Sequence, residues 1–207
     1  MPQLTIRQIV NSVYDSNSYI LTHHTSEGKE VWIIDMGDAD RIIEALPSGA
    51  IVKGVFLTHT HYDHIYGLNA FIAQYPYIQL YTNAAGKKAL LSPMLNYSRY
   101  HLEGPDFIYN KPDSIAIIED GISVTLFDGF LIKVIATPGH DASCLTYIAD
   151  DFVFSGDSFI PGVCTRATFR LSDKDAVSDS EKRIKELASG KTLCPGHGPI
   201  YEEYNNN

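Results

Sequence analysis

Three histidines and one aspartate fall within six residues of this chain, at His59, His61, Asp63 and His64. The cluster directly follows residues 51–57, an apolar run rich in β-branched and aromatic side chains that is typical of a buried strand. After the cluster, apolar side chains recur at the spacing of one helix face: Leu68, Phe71, Ile72 and Tyr75. The cluster is therefore predicted to lie where a strand ends and a helix begins, a usual location for sites in α/β folds.

The spacing within the cluster indicates metal binding. In an extended segment His59 and His61 point to the same side, so both imidazoles could bind one ion. Asp63 and His64 are adjacent, so in a turn they diverge and could reach a second ion. Imidazole with carboxylate suits zinc, and also iron or manganese in open sites. A histidine-rich surface loop or a set of hydrogen-bonded core histidines is disfavoured, because four candidate ligands cluster at one strand end.

Three further apolar runs end in a glycine and a candidate ligand. Residues 130–136 precede His140, residues 151–155 precede Asp157, and residues 191–194 precede His197. Glycine lets the backbone turn sharply and approach an ion closely. Each pair alone is common turn chemistry, but together they repeat one arrangement and supply further ligands.

These residues resemble the motifs of the metallo-β-lactamase superfamily, in order and spacing, from about residue 17 to residue 200. The motifs are Asp35, T-H-T-H-Y-D-H at 58–64, T-P-G-H at 137–140, S-G-D at 155–157 and P-G-H-G at 195–198. The resemblance implies an α/β fold, a four-layer αββα sandwich of two mixed β-sheets flanked by helices. It assigns the ligands as follows: His59, His61 and His140 to a first metal, Asp63, His64 and His197 to a second, and Asp157 as a bridge between them.

The resemblance also implies roles for two residues outside the ligand set. Asp35 matches an aspartate that orients a ligand histidine, and ligand imidazoles usually need such a partner; the alternative is a turn or helix-cap residue. Within the superfamily the chain is most similar to glyoxalase II-like thioesterases and the related persulfide dioxygenases. Arg166 matches a basic residue that contacts a glutathione-type thiol. The alternative is a surface arginine paired with Asp173 or Asp175.

Three departures from the glyoxalase II pattern leave the thiol carrier open. Thr168 replaces the aspartate of the usual R-T-D-F, and Asp141-Ala142-Ser143 replaces the usual Thr-Pro-Gly after the third-motif histidine. The sequence also ends near residue 207. We therefore expect a single domain over residues 1–207, without the C-terminal helical domain that helps true glyoxalase II hold glutathione.

The resemblance predicts a metal-dependent hydrolase. A hydroxide bridging two divalent ions, zinc by preference and iron or manganese as alternatives, attacks the carbonyl of a thioester or of another ester or lactone. The resemblance implies that Asp157 would bridge the ions, and Asp63 is expected to align the hydroxide. One alternative is a mononuclear iron persulfide dioxygenase that uses His59, His61 and His140. A non-enzymatic metal-binding protein is less favoured, because a binding module has no need of an open bimetallic centre.

Net charge and cysteine content indicate which partners and which cellular compartment to expect. The formal charge of −9 argues against a nucleic-acid partner, since phosphate binding needs a basic face. Two divalent ions would form a local positive centre that attracts a small anionic thioester. The three cysteines, Cys144, Cys164 and Cys194, are scattered and show no C-x-x-C pattern. Free thiols, with no leader pattern and no apolar run of membrane-spanning length, predict a cytoplasmic protein that has no membrane partner.

Hydrophobic periodicity predicts the remaining elements. Strands are expected at residues 4–10, 18–21, 31–34 and 78–81, and four more between 115 and 155. Helices are expected after Asp38, after the cap residue Asn83, and over residues 173–188. Residues 92–113 form no regular pattern. Their aromatic side chains, Tyr97, Tyr100, Phe107 and Tyr109, either wall a pocket or pin the segment to the core, and the second interpretation is favoured.

Overall fold

The computed structural model describes residues 4–25, 28–102 and 104–205. Strands and α-helices of these residues follow one another in this order: β1 (Leu4–Val10), β2 (Asn17–Thr25), β3 (Gly28–Ile34), α1 (Ala39–Ala45), β4 (Ala50–Phe56), α2 (Leu68–Gln74), β5 (Gln79–Thr82), α3 (Ala84–Leu90), β6 (Ile115–Ile117), β7 (Ser123–Phe127), β8 (Phe130–Ala136), β9 (Leu145–Ala149), β10 (Phe152–Gly156), α4 (Lys174–Ala188) and β11 (Thr192–Pro195). Short 3₁₀ turns lie at Tyr62–His64, Ser98–Tyr100 and Pro112–Ser114.

The strands form two mixed sheets. The first sheet has the order β1-β2-β3-β4-β5-β6, antiparallel from β1 to β3 and parallel from β3 to β6. The second has the order β11-β10-β9-β8-β7, in which only the β10–β11 pair is parallel. The prediction of an α/β fold with two mixed sheets is confirmed.

Alternation along β3 shows how the layers pack. Val31 and Ile33 lie in a core shared with α1 and α2, whereas Trp32 and Ile34 lie in the core between the two sheets. Helix α4 covers the outer face of the second sheet, where Ile184 packs in a third cluster. Central strands are thus buried on both faces, which is why they read as nearly continuous apolar runs. These layers form the predicted αββα sandwich.

Most element predictions are confirmed, including the caps of two helices. The Asn83 side chain accepts a hydrogen bond from Gly86 N–H at 2.8 Å, and Asp173 caps α4 in the same way. Asp38 precedes α1 as expected, but its carboxylate accepts from Ser12 N–H and caps no helical N–H. The prediction of four strands between 115 and 155 is wrong. A fifth, β6, has only three residues, too few to show alternation, and pairs with β5.

The irregular segment 92–113 is anchored to the core by its own side chains. Phe107 and Tyr109 are buried in the core beneath the helices. The Asn96 amide donates to Ala89 O and Phe107 O at 3.1 and 3.0 Å, so it ties the segment to the end of α3. For these two aromatic side chains the favoured interpretation, packing against the core, is confirmed.

Hydrogen bonds join the two sheets at the edge where the predicted ligands lie. Leu145 N–H donates to Thr58 O at 2.7 Å, and Tyr147 Oη donates to Leu57 O at 2.7 Å. At the other side of this edge, Asn17 Nδ2 donates to Pro195 O and Gly198 O at 3.0 and 2.9 Å. The strand ends of both sheets therefore hold fixed positions relative to one another.

Among the helices of the described ranges, none combines the length and the apolar character that a membrane span requires.

Candidate metal centre

All seven predicted ligand residues meet at this edge of the sandwich. His59 and His61 follow β4, and the 3₁₀ turn Tyr62–His64 then places Asp63 and His64 beside them. The second sheet contributes the others: His140 from the β8–β9 loop, Asp157 directly after β10 and His197 after β11. Within each of three groups, the candidate ligand atoms lie within 4.8 Å of one another: His59, His61 and His140; His59, His64 and Asp157; Asp63, His64 and His197.

Asp157 lies between the other candidates. Its Oδ1 is 3.5 Å from His64 Nε2, and its Oδ2 is 3.4 Å from His197 Nε2. The same Oδ2 lies 3.6 Å from His140 Nε2 and 4.0 Å from His59 Nε2. One carboxylate therefore reaches histidines of both the first and the second predicted metal group.

Two glycines allow this close approach. Gly156 has φ +52°, and a Cβ there would lie 2.6 Å from the Thr58 side chain. A Cβ built on Gly196 would lie 2.0 Å from Asp157 Oδ1. Any larger residue at either position would collide with the site, because real carbon contacts are about 3.5–4.0 Å.

Four of the five imidazoles present Nε2 to the cluster and hold Nδ1 against a protein oxygen. The Nδ1 contacts are His59 to Thr58 Oγ1 at 3.2 Å, His64 to Asp35 Oδ2 at 3.0 Å, His140 to Arg166 O at 2.7 Å and His197 to Tyr14 O at 3.0 Å. His61 is reversed, with Nδ1 3.0 Å from His140 Nε2. Such outer contacts fix the ring orientation and the tautomer that a metal ligand needs.

Asp35 serves the loop that carries the histidines. It is buried, its φ is +59°, and it accepts Thr58 N–H and Thr58 Oγ1–H at 2.7 and 2.6 Å. Its Oδ2 also contacts His64 Nδ1. The alternative of a helix-cap residue has no support, since Asp38 occupies the cap position of α1.

Burial and neighbouring charges lower the pKa of two imidazoles of the cluster and raise the pKa of two others. Burial, reinforced by the neighbouring histidines, holds the pKa of His59 well below its usual range and lowers that of His140 to about 4. Burial would also lower the pKa of His64 and His197, but the carboxylates of Asp63 and Asp157 outweigh it and raise these values to about 9 and about 10. Without metal, His64 and His197 are therefore protonated at neutral pH. A cation would replace those protons.

The buried atoms of the cluster fit a divalent ion. His59 Nε2, His64 Nε2 and Asp157 Oδ1 are buried and have no hydrogen-bond partner among the residues that the structure describes. Buried polar atoms without a partner are costly, about 1–3 kcal/mol each, so their convergence calls for a ligand. Imidazole nitrogen and carboxylate oxygen are donors that zinc and related divalent ions accept.

Comparison with known proteins agrees with this geometry. The sequence-family model named Metallo-beta-lactamase superfamily matches residues 12–197 of the chain. The chain belongs to this superfamily. Its match begins before β2 and ends at His197, so it includes all the strand ends that carry the candidate ligands.

Relatives within the superfamily include curated hydrolases. The chain is 30% identical over 181 residues to a hydroxyacylglutathione hydrolase of Xylella fastidiosa (strain 9a5c), which covers 87% of this chain and 60% of the relative. It is 27% identical over 183 residues to the hydroxyacylglutathione hydrolase of Pseudoalteromonas translucida, again covering 60% of that protein. The chain thus spans 60% of the length of these relatives. Among solved structures, the BLEG-1 B3 metallo-beta-lactamase is similar, with a TM-score of 0.84, 28% identity and coverage of 95% of this chain and 93% of that one.

A cavity of about 640 Å³ opens over this superfamily site. Arg166 lines it, is exposed, and lies with its guanidinium carbon 5.1 Å from the centre of the Phe169 ring. Its Nε donates to Thr168 Oγ1 at 3.3 Å, and no ion pair of Arg166 occurs within the described part of the chain. The alternative pairing with Asp173 is not seen, because that carboxylate caps α4.

Aromatic side chains pack against His61 beside the cavity. Phe169 and Tyr97 pack edge-on against His61, with ring centres 4.6 and 4.8 Å away. Tyr97 Oη also accepts Arg170 N–H at 2.7 Å, so it joins segment 92–113 to the loop after β10. Tyr97 and Tyr100 line the cavity, which confirms for these two the pocket-wall interpretation. Phe169 matches the last residue of the R-T-D-F motif, but neither its contact with His61 nor any role of Tyr14 was predicted, because these contacts depend on residues far away in the chain.

Proposed function

We propose that this protein is a metal-dependent hydrolase that cleaves a thioester, or another ester or lactone. The observation that carries this proposal is the convergence of seven candidate ligands, with Asp157 between the other six, beside a cavity lined by Arg166. The hydroxyacylglutathione hydrolases to which the chain is similar support the thioester as substrate class.

In this proposal the chain holds two divalent ions, zinc by preference. The three imidazoles of His59, His61 and His140 would hold the first ion, and Asp63, His64 and His197 would hold the second, with Asp157 available to both. Bound divalent ions lower the pKa of a coordinated water towards about 7 and polarise a carbonyl oxygen. No side-chain nucleophile is required.

The carboxylates align the attacking water. Burial would raise the pKa of Asp63 and Asp157, but the charges and hydrogen bonds of His64 and His197 outweigh it and keep both ionised. Both side chains line the cavity. Each can therefore accept a hydrogen bond from water and direct its lone pair towards the substrate carbonyl. Asp35 acts behind them, because it holds His64 in one orientation.

The cavity wall favours a small anionic substrate with an apolar body. Arg166 offers a guanidinium whose fork matches a carboxylate. Arg170 lines the same cavity, and Tyr62, Tyr97 and Phe169 add aromatic surface. An anionic thioester meets both features, since its charge pairs with arginine and its acyl or thiol arm packs on the rings.

One observation favours a second substrate class. The TM-score of 0.84 and 28% identity to the BLEG-1 B3 metallo-beta-lactamase make a β-lactam amide a candidate for the same attacking water. The chemistry differs only in the leaving group, which is an amine in place of a thiol.

Metal analysis combined with a substrate panel tests the proposal. The panel is a 2-hydroxyacyl-glutathione thioester, a neutral aryl ester, a chromogenic cephalosporin and glutathione persulfide, assayed with and without oxygen. We expect two metals per chain, thioester hydrolysis that does not need oxygen, and loss of one metal and nearly all turnover in Asp157→Ala. Faster cephalosporin cleavage would select the second candidate. If the protein contained one iron per chain, consumed oxygen with the persulfide and hydrolysed none of the substrates, the proposed hydrolase function would be wrong. The persulfide dioxygenase would then be the better assignment.

A further inference from the structure

Asp141 is a buried carboxylate that lies beside the candidate metal centre without belonging to any of the three candidate ligand groups. It follows His140 directly, but its side chain approaches the other histidine of the first group. Asp141 Oδ2 lies 3.5 Å from His61 Nε2. Its Oδ1 accepts hydrogen bonds from Ser143 N–H at 2.8 Å and from Ser143 Oγ–H at 2.6 Å.

The two facing atoms, Asp141 Oδ2 and His61 Nε2, have no other partner among the described residues. Asp141 Oδ2 and His61 Nε2 are both buried, and neither has a hydrogen-bond partner within residues 4–25, 28–102 and 104–205. A shift of about half an ångström would bring the pair to ordinary hydrogen-bond distance. Every other imidazole of the centre holds Nδ1 outward, so His61 needs its outer partner on the Nε2 side, where Asp141 lies.

Ser143 holds this carboxylate against the loop that carries the first ligands. Besides its two bonds to Asp141, Ser143 Oγ accepts Thr60 N–H at 3.1 Å. Thr60 separates His59 from His61, so Asp141, Ser143 and Thr60 form one buried connection between the β8–β9 loop and the loop after β4. The carboxylate therefore has little freedom to turn away from His61.

We propose that Asp141 is a positioning residue that accepts a hydrogen bond from His61 Nε2–H and so directs His61 Nδ1 at the first metal. The inference rests on the proposed function, because it assumes that His61 ligates a metal. A carboxylate behind a ligand imidazole fixes its tautomer and makes it a stronger donor. It also supplies negative charge beside the three imidazoles of the first group. Each metal group then has one such carboxylate, Asp35 behind His64 and Asp141 behind His61.

The variant Asp141→Asn separates this role from a merely structural one. Asparagine keeps the Oδ1 that accepts from Ser143, but it presents an NH₂ group to His61 Nε2–H, donor against donor. If Asp141 only holds the turn, Asp141→Asn should behave as the wild type. If it positions His61, Asp141→Asn should lose metal affinity while the fold survives.

The measurement is the affinity for zinc and for cobalt in the folded protein, obtained by competition with a chromophoric chelator. We expect about a 10- to 100-fold loss for one of two metals in Asp141→Asn, with altered visible absorption bands of the cobalt form. Thr146→Val is the matched control, since it removes a buried contact to Thr137 Oγ1 that touches no imidazole. Circular dichroism of the metal-free variants checks folding.

Unchanged zinc affinity and cobalt spectrum in Asp141→Asn would overturn the inference. An equal loss of affinity in Thr146→Val would overturn it as well, because the effect would then be general loosening of the core. Failure of the proposed function is a separate result: the wild-type protein itself would bind no metal, or would bind two and hydrolyse none of the substrate panel.

Discussion

Gly196 offers the sharpest test of how closely the two halves of the site approach. A Cβ at this position would lie 2.0 Å from Asp157 Oδ1, 2.8 Å from Gly156 C and 3.1 Å from Asp157 N. Carbon contacts in proteins are normally about 3.5–4.0 Å, so alanine would have to displace the Asp157 carboxylate by roughly 1.5 Å and the adjoining backbone by roughly half as much. Gly196→Ala should therefore move the Asp157 carboxylate, which is proposed to be shared by both metals, out of its position.

Gly198, two residues further on, is the matched control. It has φ +79°, and a Cβ there would meet no heavy atom of the described residues within 4 Å, its chain neighbours apart. Gly198→Ala should cost about 1–2 kcal/mol, the strain of an L-residue in the left-handed region. Gly196→Ala should cost about 1–3 kcal/mol through overpacking. In a chain of this length, each kcal/mol lowers Tm by about 2–4 °C.

Thermal unfolding and metal analysis of both variants distinguish strain from displacement. Both should lose a few degrees in Tm, but only Gly196→Ala should lose metal, falling below the wild-type content. If Gly196→Ala kept the wild-type metal content and activity, Asp157 would tolerate a shift of its carboxylate, and the reasoning from the close contact would be refuted.

Further predictions concern Arg166, Asp35 and the protons of the metal-free site. Arg166→Ala should raise KM for anionic thioesters about 10- to 100-fold with little change in kcat, because a charge-assisted hydrogen bond contributes about 1.5–3 kcal/mol; equal changes for neutral esters would contradict this. Asp35→Asn should weaken metal binding by about 10- to 100-fold in chelator competition, since His64 loses its acceptor; unaltered affinity would contradict it. With chelator present, Tm should fall as pH rises from 6.5 through 9–10, because His64 and His197, with pKa values raised to about 9 and about 10, stabilise the fold only while protonated; a flat profile would contradict it.

The sandwich was predicted from the resemblance of the motifs, whereas the strands are predictable from the residues themselves because the central strands are apolar on both faces. Residues 4–10 form β1 as predicted, and the run at 51–57 corresponds to β4 (Ala50–Phe56). The sequence did not predict β6 as a separate strand, because three residues are too few to show the alternation of a β-strand. The prediction that the Asp38 side chain caps α1 was wrong because of a long-range contact. Its carboxylate accepts a hydrogen bond from the backbone N–H of Ser12, twenty-six residues earlier, which no local rule anticipates.

The candidate ligands could be found from sequence because four of them cluster within six residues after one strand, and the other three each follow a strand and a glycine. Among their outer contacts, the resemblance pointed to Asp35, but those of His140 and His197 could not be found, since they depend on how distant loops meet. Asp141 looked only like a departure from a motif, and its proximity to His61 spans a separation of eighty residues. Tyr14 carried no signal at all, because its contribution to His197 is a backbone carbonyl that any residue could supply.

The contacts between β2 and the loop after β11 have a consequence for synthesis on the ribosome. Asn17 binds the carbonyls of Pro195 and Gly198, and Ser16 pairs with His197, so one of the first strands made is joined to the last. Pairings this distant in sequence close late in folding. A nascent chain can offer His59, His61 and His64 long before His197 leaves the exit tunnel. We therefore expect the complete ligand set to form only after residue 198 has emerged.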